Sequence, residues 1–180
     1  MPAHPADVLT FWLNAGPAKW FSHNARFDDA IRLKFEPTHH AAARGEYAVW
    51  EATAEGCAAL IILLDQFPRN LYRGAAHAFA TDPLARRIAA KAIERGFDRQ
   101  VYPLLRSFFY LPFEHSEAPE DQEMAVALFS EAADPDGLKW AVLHEDIIAR
   151  FGRFPHRNSA LGRDTTPQEQ AFLDEGGFAG

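Results

Sequence analysis

The sequence predicts an all-α protein, a multi-helix array forming one domain over residues 1–180. Three observations carry this. Apolar residues recur at three- and four-residue spacing along most of the chain. No segment alternates with period two, and no hairpin signal of the Asn-Gly kind occurs. Proline, glycine and capping residues cut the pattern into roughly nine or ten helices with short loops.

Pro5 and Asp7 open the first helix, with Val8, Leu9, Phe11, Trp12 and Leu13 on its apolar side. Asn14, Gly16 and Pro17 end it. Trp20 and Phe21 follow in a short connection and are expected to dock into the core. The next helix starts near Asn24, and Phe27, Ile31 and Phe35 mark its stripe. Pro37 predicts a kink or break at Glu36. Helical composition resumes through Ala41–Ala43 and stops at Gly45. His39 and His40 are neighbours that cannot share a helix face, and both are expected to be exposed.

Residues 57–74, CAALIILLDQFPRNLYRG, are the stretch around which the chain is organised. Cys57 to Leu64 is wholly apolar, but a membrane span needs about 20 such residues. Trp50, Ala54, Cys57, Ala58, Ile61 and Leu64 keep helical spacing, and Leu60, Ile62 and Leu63 fill the other faces. A helix that turns apolar all round is becoming fully buried. Pro68 disfavours helical geometry at Phe67, so the helix is expected to stop there. That places Asp65 in the last turn, where the helix dipole disfavours a carboxylate by a few tenths to ~1 kcal/mol. Arg69 and Arg73 are the nearby cations.

Asp82 reads as an N-cap with Pro83 behind it, before a stripe of Leu84, Ile88, Ala92 and Ile93 that Gly96 ends. Arg86, Arg87, Lys91 and Arg95 form its solvated basic face. Pro103 starts a helix expected to end before Pro112, followed by a turn of Glu114, His115, Ser116 and Glu117. Pro119 begins a helix with Met124, Ala125, Leu128, Phe129 and Ala132 as its stripe. Pro135 begins another, running to about Arg153, with Trp140, Ile147, Ile148 and Phe151 on one side and His144 in its middle. Pro155 breaks it. Thr166, Pro167 and Glu169 fit an N-cap, first position and capping-box acid.

The composition is that of an ordinary globular chain: 48% hydrophobic, 24% charged and a net charge of -7. That balance argues against a broad nucleic-acid footprint. The single cysteine, Cys57, can form no internal disulfide and reads as a small buried hydrophobe. There is no signal-peptide pattern and no membrane span, so the expected location is the cytoplasm.

Three turns share a polar composition: Asp65, Gln66, Arg69, Asn70 and Arg73; Glu114, His115, Ser116 and Glu117; and Arg150, Arg153, His156, Arg157, Asn158 and Arg163. The phrase Phe67-Pro68-Arg69-Asn70 is echoed by Phe154-Pro155-His156-Arg157-Asn158. Arginine forks bind carboxylate or phosphate, and histidine with glutamate can trade protons near neutral pH. If the turns meet, they form a site for a small anionic ligand, bound by Gln66, Arg69, Asn70, Arg73, His144, Arg153, His156, Arg157 and Asn158. The alternative is a hydrolase or lyase in which His115 works with Glu117 or Asp65 as acid–base groups. Two further alternatives are a scaffold for a protein partner and buried networks that only fix helix packing. P-loop and HExxH patterns are absent. A metal site from His115, Glu117 and His144 lacks diagnostic spacing, so neither a metal nor a cofactor is assigned.

At these residues the chain resembles the bacterial family called DUF924, a domain of unknown function. The resemblance spans nearly the whole chain: VLTFWL from Val8, Trp20-Phe21, LDQFPRNLYRG from Leu64, AFATDPLA from Ala78, FYLPFEHSE from Phe109, IIARFGRFPHRN from Ile147 and LGRDTTPQEQAFL from Leu161. Pro37 and Glu51–Gly56 depart from it locally. The resemblance implies an all-helical fold similar to tetratricopeptide-like superhelices and no established activity. The motif positions it singles out are the same polar turns.

Overall fold

The helices begin where a side chain can take the first free N–H groups. In a computed structural model that describes residues 3–178, Asn24 caps Phe27 N at 3.1 Å, Thr53 caps Gly56 N at 3.1 Å and Asp134 caps Gly137 N at 3.0 Å. Thr166 and Glu169 form the expected capping box. His4 does the same with Asp7, using its ring nitrogen as acceptor. The α-helices are α1 Pro5–Ala15, α2 Pro17–Trp20, α3 Ala25–Ala43, α4 Ala54–Ile61, α5 Phe67–Leu71, α6 Asp82–Glu94, α7 Leu111–Glu114, α8 Pro119–Glu131, α9 Pro135–Phe151 and α10 Pro167–Asp174. No strand occurs among the described residues, and the fold is all-α.

The contacts divide the chain into two compact units. The first comprises residues 1–73 and 77–112, the second residues 74–76 and 113–180. The first is built on the predicted apolar run: Ile61, Ile62, Leu63, Leu64 and Phe67 have no solvent exposure. Trp12 of α1 joins them, its ring 5.5 Å from Phe67 and 5.6 Å from Phe108. In the second unit α8 packs along α9, and Ile147, Ile148 and Phe154 form a buried cluster.

Several expectations are corrected. α3 runs unbroken through Pro37. A proline removes the hydrogen bond to the carbonyl four residues back. Here that carbonyl belongs to Leu33, a highly exposed residue, so water can satisfy it. Trp50 lies in a separate 3-10 turn, Ala48–Ala52, ahead of the Thr53 cap. Asp82 is the first residue of α6 rather than its cap. Pro103–Phe109 is a 3-10 segment rather than an α-helix. Trp20 is buried, but Phe21 is 68% exposed and lies stacked on the rim of Phe108.

The most consequential difference is at Pro68. The helix does not stop at Phe67. It widens into a π-turn over Ile62–Gln66, then continues as α5. The Phe67 N–H reaches back five residues to the Ile62 carbonyl, and Pro68 has no N–H. The Leu63 carbonyl therefore has no helical donor. It is met by the His39 ring at 2.8 Å, while the Thr81 hydroxyl meets the Leu64 carbonyl. Such π-turns are uncommon and often mark functional sites.

Gly56 tests the packing at the start of α4. A methyl group there would collide with the Trp50 carbonyl and the Thr53 hydroxyl that caps the helix. Glycine-to-alanine changes inside helices ordinarily stabilise by about 1 kcal/mol. Gly56→Ala is expected instead to destabilise by about 1–3 kcal/mol through overpacking, read as a lower urea midpoint. A raised midpoint would contradict this packing.

Candidate functional site

The polar residues singled out by sequence fall into both units, and most are held by carboxylate, amide or backbone partners. In the first unit Asp65 is fully buried, hydrogen-bonded by Gln66 Nε2 at 2.6 Å and ion-paired with Arg69 at 3.3 Å. Arg69 forks onto Asp82 at 2.8 and 2.9 Å and donates to the Asp65 carbonyl. Asn70 and Arg73 converge on Asp28, each at 2.8 Å. Burial pushes the Asp28 carboxyl up, but the hydrogen bonds from Arg73 and Asn70 outweigh it and hold it below the usual carboxylate range. Since the helix continues past Asp65, the expected clash with a helix C-terminus does not arise.

In the second unit the structure brings the other two turns together. Glu117 accepts from Arg163 at 2.8 and 3.0 Å and from the Phe154 N–H at 2.8 Å. Arg157 donates to the His115 carbonyl at 3.0 Å and lies over the Phe154 ring. Arg153 forks onto Glu169 at 2.6 and 2.9 Å, and Asn158 adds a bond at 3.2 Å. Burial raises the Glu117 carboxyl, and Arg163 with the Phe154 N–H pull it back below its ordinary value. A carboxylate held this way stays ionised at neutral pH and makes a poor proton shuttle. His144 is buried, and its Nδ1 lies 2.8 Å from the Trp140 carbonyl and 3.2 Å from Glu114. Its ring meets Phe154 and Phe178, and His156 also packs on Phe178.

An open hollow of about 640 Å³ lies beside this network, lined by Arg150, Phe151, Arg153, Thr166, Gln168 and Glu169. Arg150 is half exposed. It lies over the rings of Phe151 and Phe172, and its carboxylate contact with Asp146 is long, 3.5 Å. Arg153 uses Nε and Nη2 for its bonds, and its Nη1 donates to nothing among the described residues.

A cluster outside the predicted set lies in the first unit. His39 is fully buried and His40 half-buried, which corrects the expectation that both are exposed. Their rings are 5.1 Å apart, and His77 lies 5.9 and 5.8 Å from them. One ring nitrogen of each falls within 4.8 Å of the others. Adjacent helical residues diverge by about 100°, but they can still reach one point when a third group comes from another element, here the 3-10 turn Ala76–Phe79. Tyr72 stacks flat on His77, 4.0 Å away, and its hydroxyl bridges His40 Nε2 and Glu36. Burial, then Glu36, pushes the Tyr72 phenol up to about 12, so it is neutral. Burial likewise holds the His39 imidazole below its ordinary value. The proline in FPRN was the one sequence signal for this cluster, because it leaves a carbonyl for a side chain to satisfy.

The chain matches the profile of a family described as bacterial protein of unknown function (DUF924) over residues 8–177. Among solved structures it is similar to a protein of unknown function, ATU0120, from Agrobacterium tumefaciens. That similarity has 50% identity and a TM-score of 0.92, covering 96% of this chain and 97% of the other. No curated protein matches it.

The Arg153 fork has a consequence for acid stability. The hydrogen bonds from Arg153 hold the Glu169 carboxyl down at about 2. An unfolded glutamate titrates near 4.3. This stabilisation is complete above the unfolded value and is lost as pH falls from about 4.3 toward about 2. Glu169→Gln should therefore flatten the acid limb of stability in that window, measured by urea unfolding at several pH values. An unchanged acid limb would remove Glu169 from the account.

Proposed function

We propose, from the premise that the chain belongs to the DUF924 family of bacterial proteins of unknown function, that it binds a small ligand bearing a carboxylate or phosphate. The ligand's charged end would sit in the hollow beside α9, on Arg150 and the outward edge of Arg153. The observation that carries this reading is the state of those two guanidinium groups. An exposed ion pair such as Arg150–Asp146 is worth at most about 0.5 kcal/mol, so a better-placed anion can replace it. Arg153 Nη1 adds a second donor. Phe151 and Gln168 line the same hollow, and Arg150 also lies over the Phe172 ring.

The other arginines support this reading less. Arg69, Arg73 and Arg163 each hold a carboxylate by at least two hydrogen bonds. Taking Arg69 or Arg73 for a ligand would uncover the buried Asp82 or Asp28, which costs about 3–5 kcal/mol for a well-buried pair, and taking Arg163 would give up both of its bonds to the partly exposed Glu117. The reading as a hydrolase or lyase loses its acid–base pair for a similar reason. Glu117 is held as a carboxylate by Arg163 and the Phe154 N–H. The net charge of -7 favours a small ligand over a polyanion. No helix of the described residues is long and apolar enough to cross a membrane.

Thermal unfolding with inorganic phosphate, pyrophosphate and citrate tests this. A ligand at a hundredfold excess over its Kd adds about 2.7 kcal/mol, a shift of several degrees for a chain of this size. Arg150→Gln should remove the shift without lowering the melting temperature of the free protein. An equal shift in that variant, or none with any of the three anions, would count against the hollow.

A further inference from the structure

The π-turn settles the proton of one buried histidine. The Phe67 N–H is drawn to the Ile62 carbonyl and Pro68 has none to give, so the Leu63 carbonyl takes its hydrogen bond from His39 Nδ1. A carbonyl can only accept, so the His39 proton sits on Nδ1 and the lone pair on Nε2. That Nε2 is buried and has no hydrogen-bond partner among the described residues. A buried acceptor left unmet is costly and is rarely tolerated without a reason. His40 and His77 lie beside this ring, and one ring nitrogen from each of the three histidines falls within 4.8 Å of the others.

We propose that His39, His40 and His77 bind a divalent transition metal of the zinc type. Three imidazoles without a thiolate suit zinc, copper, nickel or iron, and do not suit magnesium or calcium. Tetrahedral ligation puts neighbouring nitrogens about 3.3 Å apart, so the rings must draw in slightly. His77 can do this, because it sits on an exposed 3-10 turn just after Gly74, whose φ is 74°.

The surroundings are those expected around metal-bound imidazoles. Such a ring usually gives its other N–H to a backbone carbonyl or to a group leading to a carboxylate. His39 gives its proton to Leu63, and His40 reaches Glu36 through the Tyr72 hydroxyl. Ring stacking alone explains Tyr72 on His77, but it gives the buried His39 Nε2 nothing to bond. A water molecule could fill that position, and only a metal would need the other two rings as well. Three protein ligands leave a coordination position for water or a substrate. This site lies wholly within the first unit and does not depend on the anion reading.

The test is zinc titration of chelator-treated full-length chain by calorimetry, paired with cobalt substitution followed by visible absorption. The expected result is one metal per chain and the absorption bands of low-coordinate cobalt. His77→Ala, at an exposed turn, should weaken zinc at least tenfold and abolish the cobalt bands while leaving circular dichroism unchanged. His40→Ala should act likewise, and His23→Ala, an exposed histidine elsewhere, should change nothing. No uptake of either metal would overturn the proposal. So would uptake that survives both His77→Ala and His40→Ala, or that falls with His23→Ala.

Discussion

A missing N–H at Pro68, inside a helix that does not break, governs the first unit. The π-turn ahead of it passes the Phe67 N–H to Ile62 and leaves the Leu63 carbonyl to the His39 ring, while the Leu64 carbonyl, whose α-helical donor would be Pro68, is met by the Thr81 hydroxyl. In a site with no exposure these carbonyls cannot turn to water, so unmet they would cost about 1–3 kcal/mol each. His39 on α3 and Thr81 ahead of α6 supply the donors. One helical irregularity thus determines where two other elements must sit. Arg69, one residue after the proline, repeats the pattern by joining Asp65 to Asp82 at the start of α6.

A closely similar phrase, with one histidine inserted, has a different outcome in the second unit. Phe67-Pro68 leads into arginine and asparagine inside a continuing helix, whereas Phe154-Pro155, with His156 before its arginine and asparagine, lies beyond the end of α9 at Phe151. The difference lies just upstream. Gly152 takes a left-handed conformation with φ 69°, and its N–H closes α9 onto the Ile148 carbonyl. The chain has turned before the proline is reached, and the Phe154 N–H is free to bond Glu117. Ahead of Phe67 the residues are Leu64, Asp65 and Gln66, with no glycine to take that conformation without strain. The helix there absorbs the proline instead.

Helix starts were legible because capping is local: Asn24, Thr166 and Glu169 act on residues three positions away. The apolar run of residues 57–64 was legible as the core for the same reason. Helix interruptions were not. A proline's effect depends on what meets the orphaned carbonyl, and that is water at Leu33 but a ring 24 residues away at Leu63. The candidate site was half legible. The sequence marked arginines and acids in the right turns, and in the second unit Glu117 does meet Arg163, 46 residues on. Spacing could not say which acid each arginine would find, since Asp28 reaches Arg73 across 45 residues. Once paired, most of those guanidinium groups serve the fold.

This distinction between satisfied and unsatisfied groups carries the functional reading. A fork of two hydrogen bonds onto a buried carboxylate has its geometry and its charge fully matched, and such pairs chiefly fix packing. They are abundant here, and the turns that looked richest in chemistry are the ones most completely neutralised. Chemistry outside the fold needs a group whose partner the chain does not provide. Arg150, whose ion pair is loose, is one such group at the surface. The Nε2 of His39 is another in the interior, and the stronger one, because it is shut off from bulk solvent and the chain has already placed the ring's proton on Nδ1. A fold that needed only a donor for the Leu63 carbonyl could have used a serine or threonine, as it does at Leu64 with Thr81. A histidine there adds a second ring nitrogen beside two further imidazoles, which a packing role does not require.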